Sequence, residues 1–238
     1  DGIRHFCLSR GLGDVYKRQG LERSTVLRKI SALGHFFNFL VEEEVLDSNP
    51  MKKIYIRADQ LLEDSFRLAW AIYESGYIPN YIIGVWRGGA PIGIAVQEFL
   101  DVIGIQSDHI AIRTSSYTGI GQRSKEIKVH GLSYVIKKFE SEDSLLIVDD
   151  VYDTGLSVQQ TIRDIKTACK KNTPEIRVAT PYFKPNSNQT DKNPDYYLYE
   201  TDDWLVFPHE LHGLTKREII ENKPELSDLI DKIGDLID

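Results

Sequence analysis

The chain has 238 residues, 41% hydrophobic and 27% charged, with a net charge of −7 and a pI near 5.4. That balance fits a globular α/β domain with an appendage and disfavours bulk nucleic-acid binding, which leaves a basic footprint. Two cysteines without metal-ligand spacing, Cys7 and Cys169, read as thiols of a reducing compartment; no apolar run reaches the roughly 18 residues of a membrane span, and no signal-peptide pattern opens the chain, so the expected location is cytoplasmic, away from any membrane.

Residues 1–19 show neither helical nor strand period. The string resembles translated adapter sequence at the ends of gene models and is set apart as a non-native leader; a basic arm using Arg4, Arg10, Lys17 and Arg18 is the alternative. Residues 20–54 form the next segment. Within it Val26, Ile30, Leu33, Phe37 and Leu40 recur at three- and four-residue spacing, Ser24 can cap the start and Asn49–Pro50 closes it, so one amphipathic helix is expected. This string resembles part of the N-terminal clasping domain of tyrosine recombinases, without the rest of the clasp or a catalytic set downstream. It implies a fused fragment with no recombinase activity.

From Tyr55 to the end, apolar strand-like runs alternate with helical patterns. The runs are Tyr81–Val85, His109–Arg113, Ser144–Asp149 and Ile176–Phe183, and the helices fill Ala58–Ser75, Ala90–Leu100 and Ser157–Cys169. Continuous apolar strands between helices predict an α/β fold, a mostly parallel sheet flanked by helices, which binds ligands at the carboxyl ends of its strands. Asn186–Asn193 is polar and turn-rich and is expected to be a loop.

The central motif is Leu145–Val148, an apolar strand running into Asp149 and Asp150, followed by Asp153-Thr154-Gly155-Leu156-Ser157 and a helix. Backbone N–H groups of a tight turn at a helix N-terminus form an anion cradle, Gly155 permits close approach, and Thr154 and Ser157 add hydroxyl donors. The carboxylates can accept from ribose hydroxyls. The spacing resembles the signature of type I phosphoribosyltransferases, which bind phosphoribosyl pyrophosphate (PRPP). The resemblance spans residues 57–212 and implies a small C-terminal hood over the sheet. It implies that Asp149 and Asp150 hold the ribose hydroxyls, directly or through Mg²⁺, and that Thr154, Gly155, Leu156 and Ser157 wrap the 5-phosphate. Asp153 would be the catalytic residue, a general base or hydrogen-bond partner at a ring nitrogen, although Asp is also a common turn former. Leu156 departs from the Lys frequent among relatives, a change that backbone binding tolerates.

Tyr81–Val85 leads into Trp86-Arg87-Gly88-Gly89, where a rigid donor fork and two glycines suit pyrophosphate. Relatives often have a cis peptide before the basic residue, which is expected at Trp86–Arg87. Thr114–Glu126 is a polar hairpin that relatives use as a lid, with Ser116 and Tyr117 matching a Ser-Tyr pair that contacts pyrophosphate; an ordinary surface hairpin is the alternative. At the base end the resemblance is to 6-oxopurine enzymes, with Lys184 on the purine oxygen, Trp204 stacking and Leu205 presenting its carbonyl. Trp204 could instead be core, and Lys184 a surface side chain. Glu210 joins Asp149 and Asp150 as an implied Mg²⁺ ligand, while His209 and His212 are read as structural or exposed.

The implied reaction joins a purine base to ribose 5-phosphate from PRPP with Mg²⁺, in a homo-oligomer (dimer or tetramer), as relatives usually are. Two other readings stay open: a PRPP-sensing regulator whose N-terminal helix contacts DNA, and a transferase for a non-purine acceptor.

Overall fold

The structure is a computed structural model that describes residues 52–118 and 125–233, with isolated positions between 33 and 45. Leu33, Phe36, Phe39 and Leu40 are helical, whereas Glu43 lies in a turn and Val45 in a bend; residues 1–19 and the rest of the recombinase-like string lie outside the described residues. From β1 (Lys53–Tyr55) the chain runs through α1 (Ala58–Glu74), β2 (Tyr81–Trp86), α2 (Gly89–Val102), β3 (Asp108–Thr118), β4 (Lys125–His130), α3 (Ser133–Ile136) and β5 (Ser144–Val148). It continues through β6 (Val151–Tyr152), α4 (Leu156–Cys169), β7 (Glu175–Ala179), β8 (Tyr182–Phe183), β9 (Tyr199–Glu200), β10 (Trp204–Val206), α5 (Lys216–Asn222) and α6 (Ser227–Ile233). Asp59–Asp202 form one compact unit; among the described residues, 52–58 and 203–233 form a second. No described helix is long and apolar enough to cross a membrane.

The first unit is built on a five-stranded sheet in the order β4-β3-β2-β5-β7, parallel except where β4 pairs β3. Its central strands are apolar throughout because both faces are covered: Ile82, Ile83 and Val85 of β2 and Leu145–Val148 of β5 are all buried. On α1 the buried Leu61, Leu68, Ala69 and Ile72 share one face, the amphipathic pattern that turns a helix onto a core. On β2, Gly84 lets α2 lie close on the strand: a Cβ there would stand 3.2 Å from both the Ala90 Cα and the Gly89 carbonyl oxygen.

The run Ile176–Phe183, read from the sequence as one strand, is two. β7 stops at Ala179, and Thr180-Pro181 separate it from β8, which leaves the main sheet to pair in parallel between β6 and β9. Pro181 lacks the N–H that a continuing strand needs. The Thr180 hydroxyl donates to the Tyr182 carbonyl at 3.0 Å, and its N–H to the Tyr196 carbonyl at 3.0 Å. The break gives the molecule a second, smaller parallel sheet.

In the second unit β1 pairs in parallel with β10, Lys53 opposite Trp204 and Tyr55 opposite Val206. Strand β1 therefore begins two residues ahead of the Tyr55 boundary read from the sequence. Val206, Leu214, Ile219 and Ile230 form a small core, with Trp204 and Tyr55 packed against it. A capping box starts α5: Thr215 Oγ1 accepts from the Glu218 N–H, and Glu218 accepts from the Thr215 N–H. The Glu218 carboxylate also takes the Lys53 ammonium and the Tyr55 hydroxyl. Burial pushes that carboxylate up, but the hydrogen bonds from Lys53 and Thr215 outweigh it and hold its pKa below the usual range. Lys223 is 3% exposed and donates to the Phe207 and Pro208 carbonyls at 2.9 and 3.0 Å; burial lowers its pKa.

Candidate active site

The carboxyl ends of β2 and β5 lie against each other, and two glycines make that possible. A Cβ on Gly89 would stand 2.3 Å from the Val148 carbonyl oxygen and 2.7 Å from the Asp149 Cα. A Cβ on Gly88 would stand 1.8 Å from Asp150 Oδ2. The Arg87-Gly88-Gly89 turn thus sits directly on the acidic strand end, and the two motifs read separately from the sequence form one surface. Arg87 is exposed at its rim, and the Trp86–Arg87 peptide is cis, as expected. The acids are held by their own backbone: the Asp150 N–H donates to Asp149 Oδ1 and the Val151 N–H to Asp150 Oδ1, both at 2.9 Å. Asp150 is buried at 5% exposure and Asp149 is partly exposed.

After β6 the chain turns through Asp153 and Thr154 to Gly155, whose φ of +72° lies in the left-handed region that favours glycine. Helix α4 starts at the next residue, so the N–H groups of its first turn and the hydroxyls of Thr154 and Ser157 belong to one short segment. The positive end of the helix dipole and these donors suit a phosphate dianion. Asp153, Thr154, Leu156 and Ser157 are all partly exposed.

On the smaller sheet, Tyr152 of β6 lies opposite Phe183 of β8. Asp153 and Lys184 each follow directly, and the Lys184 N–H donates to the Tyr152 carbonyl at 2.9 Å. The two chains therefore leave the sheet side by side. Lys184 is 6% exposed, so it is no surface lysine. The loop expected at 186–193 is present and folds back on the turn, its Gln189 N–H donating to the Thr154 carbonyl at 3.1 Å. Sequence reasoning missed Tyr152, which is 1% exposed behind the Gly155 turn; nothing in its residue type or spacing marks it.

Ser116 and Tyr117 lie on β3, paired with Ile127 and Glu126 of β4, which makes the expected hairpin real; their side chains and residues 119–124 lie outside the described residues. Trp204, Leu205 and Glu210 belong to the second unit. There Trp204 is partly exposed, Leu205 is buried, and Glu210 accepts from the Phe207 N–H at 3.3 Å. The His209 ring stacks on Phe207.

Among the described residues no three acids, histidines or cysteines gather as a metal cage. Mg²⁺ is commonly held by one or two carboxylates with substrate phosphates completing the shell. The pair Asp149 and Asp150, both oxygen donors at one strand end, fits a Mg²⁺ ion that shares its ligands with the substrate.

The ends of this parallel sheet present a glycine-arginine turn, an acid pair and a left-handed glycine before a helix, a set of groups chemically suited to a phosphorylated sugar. Residues 56–213 match the model of the phosphoribosyl transferase domain, and the chain belongs to that family, whose chemistry is phosphoribosyl transfer. A purine phosphoribosyltransferase from Pyrococcus horikoshii Ot3 is 30% identical, with a TM-score of 0.52 over 68% of this chain and 97% of that one. A hypothetical protein from Neisseria gonorrhoeae with bound ppGpp (20% identity, TM-score 0.58, 75% of this chain and 97% of that one) shares the fold. So does a xanthine-guanine-hypoxanthine phosphoribosyltransferase from Helicobacter pylori (16%, 0.54, 73% and 99%). No curated protein matches. The family match begins after the recombinase-like string and leaves it outside.

Proposed function

We propose that the protein transfers the 5-phosphoribosyl group of PRPP to a 6-oxopurine, giving a purine nucleoside monophosphate and pyrophosphate. The observation that supports this most is the packing of the Gly88-Gly89 turn on Asp149 and Asp150, which sets a pyrophosphate-type turn beside a ribose-type acid pair. In this reading the N–H groups and hydroxyls of 154–157 hold the 5-phosphate, and Asp149 and Asp150 accept from the ribose hydroxyls. Arg87 and the Gly88-Gly89 backbone, with Ser116 and Tyr117 of the hairpin, hold pyrophosphate. As the bond from C1 to the pyrophosphate oxygen breaks, negative charge grows on the leaving group and Arg87 stabilises it. A ring nitrogen bonds to C1, and Asp153 takes the proton that the base gives up.

Lys184 donates to the 6-oxo group. It leaves the sheet beside Asp153, so one pair of strands delivers both an acid and a base to the heterocycle. The sequence resemblance assigns ring stacking to Trp204, a carbonyl contact to Leu205 and a metal contact to Glu210. Mg²⁺, when bound with PRPP at Asp149 and Asp150, supplies charge neutralisation to the pyrophosphate.

The test is initial rates with hypoxanthine, guanine and xanthine in the presence of PRPP and Mg²⁺, read as pyrophosphate release and nucleotide formation. Turnover of at least one is expected; silence with all three overturns the proposal. Lys184→Ala should lower kcat/KM for the base about a hundredfold, the scale of a lost charged hydrogen bond, and leave PRPP affinity nearly intact. Equal loss for base and PRPP would remove Lys184 from the base site.

A further inference from the structure

We propose that Tyr152 is a positioning residue for the sugar-phosphate turn, and that through its hydroxyl the 186–193 loop braces that turn from behind. The inference rests on the reading of 154–157 as the 5-phosphate cradle.

The ring of Tyr152 is the wall against which Gly155 is set. A Cβ at Gly155 would meet the ring's Cε1, hydroxyl oxygen and Cζ at 2.6, 2.7 and 2.8 Å. The ring therefore occupies the place a side chain would take, and where the ring stands decides where the turn can stand. The ring is in turn fixed by its hydroxyl, which lies 3.2 Å from Thr190 Oγ1, 3.1 Å from the Lys192 carbonyl and 3.3 Å from Gln159 Nε2. A phenol donates once and accepts from others, and this set satisfies both capacities: Gln159 donates to it, and its own proton is shared between Thr190 Oγ1 and the Lys192 carbonyl, both in the loop. Gln159 lies on the first stretch of α4, and its own N–H donates to the Gly155 carbonyl at 2.9 Å.

The loop is rigid enough to act as a brace. Asn188 Oδ1 accepts from the Thr190 N–H at 2.9 Å and its hydroxyl at 2.8 Å, and Asn188 Nδ2 donates to the Lys192 carbonyl at 2.9 Å. A second tie, from the Gln189 N–H to the Thr154 carbonyl at 3.1 Å, reaches the turn itself. The loop begins just beyond Lys184, so one connected segment runs from the base-side lysine to the back of the phosphate turn.

The geometry does not need Tyr152 to touch substrate. Its effect is to hold the α4 N-terminal amides where a phosphate meets them, and it should appear in PRPP affinity and not in affinity for the base. Tyr152→Phe keeps the ring against Gly155 and removes only the hydroxyl. Thr190→Val removes the loop's side-chain end of the same contact and leaves the sugar-phosphate motif untouched. Melting temperature, KM for PRPP and KM for the base are measured for the wild type, both single variants and the double variant.

Tyr152→Phe is expected to raise KM for PRPP about fivefold, the equivalent of one net hydrogen bond, with KM for the base changed less than about twofold. Thr190→Val should move KM for PRPP in the same direction, and the double variant should fall short of the product of the two, because the contact between Tyr152 and Thr190 is common to both. An unchanged KM for PRPP in Tyr152→Phe overturns the proposal. So does a parallel rise for PRPP and base with a fall in melting temperature, the pattern of general loosening. Wild-type turnover of PRPP is the separate control: its absence sinks the functional reading, whereas its presence with unaltered variants sinks only the role of Tyr152.

Discussion

The two units of the chain make the same kind of object, short parallel strands backed by helices, by different means. In the unit Asp59–Asp202 the site is made of backbone: Gly88, Gly89 and Gly155 are where they are because a side chain would collide with Asp150, Val148 or Tyr152. In the second unit the short strands are held by side chains. There β1 and β10 are three residues each; Glu218 bonds Lys53 and Tyr55 of β1, and Lys223 bonds the carbonyls of Phe207 and Pro208 just past β10. A backbone site tolerates almost no substitution at its glycines. A side-chain site weakens in proportion to each hydrogen bond removed. The contrast can be broken or sharpened by substitution.

The largest effect is expected at Gly89. The atoms a Cβ would meet are backbone, the Val148 carbonyl and Asp149 Cα, and neither can swing away. Gly89→Ala should cost about 3 kcal/mol of stability and abolish transfer, measured by denaturant unfolding and initial rates. Next is Gly88→Ala, whose Cβ would first meet the Asp150 carboxylate. Those atoms belong to a side chain and not to the backbone, so the variant should cost less stability than Gly89→Ala and lose PRPP affinity by about tenfold or more, because the carboxylate is no longer where the ribose needs it. If the two alanines behaved alike, the backbone account of this surface would be wrong.

The smallest effect is expected in the second unit. Glu218→Gln keeps the shape and removes the charge that Lys53 faces, and should cost about 1 kcal/mol at neutral pH. Because the Glu218 pKa is lowered in the folded state, its contribution is present above the ordinary carboxylate range and is lost as pH falls below about 4. Stability of the wild type should therefore fall more steeply with acid than that of Glu218→Gln, as read by thermal melts between neutral pH and about pH 3. Identical slopes would show that the Glu218 charge does not stabilise the β1 contact.

The same contrast explains what could be read from the sequence. The strand end at Asp149-Asp150 and the turn at Asp153–Ser157 were legible because an apolar strand, an acid pair, a glycine turn and a helix follow one another at short fixed spacing. The main strands were legible because burial on both faces makes Leu145–Val148 continuously apolar. Three-residue strands have no period to detect, so β1 and β10 became visible only through their pairing. The break at Thr180-Pro181 did have a signal, the proline, overridden by the apolar run around it. The capping box Thr215–Glu218 was likewise in the sequence, marking the start of a helix that the apolar pattern did not announce. Burial of Lys223 and the contacts of Tyr152 had no signal at all, since each depends on residues distant in the chain.

In the proposed function the turn of Gly88 and Gly89, the acid pair and the Gly155 turn form one receptor for PRPP. Isothermal titration of PRPP into the wild type and Gly88→Ala, each with and without Mg²⁺, tests it most directly. The account predicts saturable, Mg²⁺-dependent binding to the wild type at one site per chain and at least tenfold weaker binding to a folded Gly88→Ala. Binding of equal strength to both proteins, or none to the wild type, would contradict it.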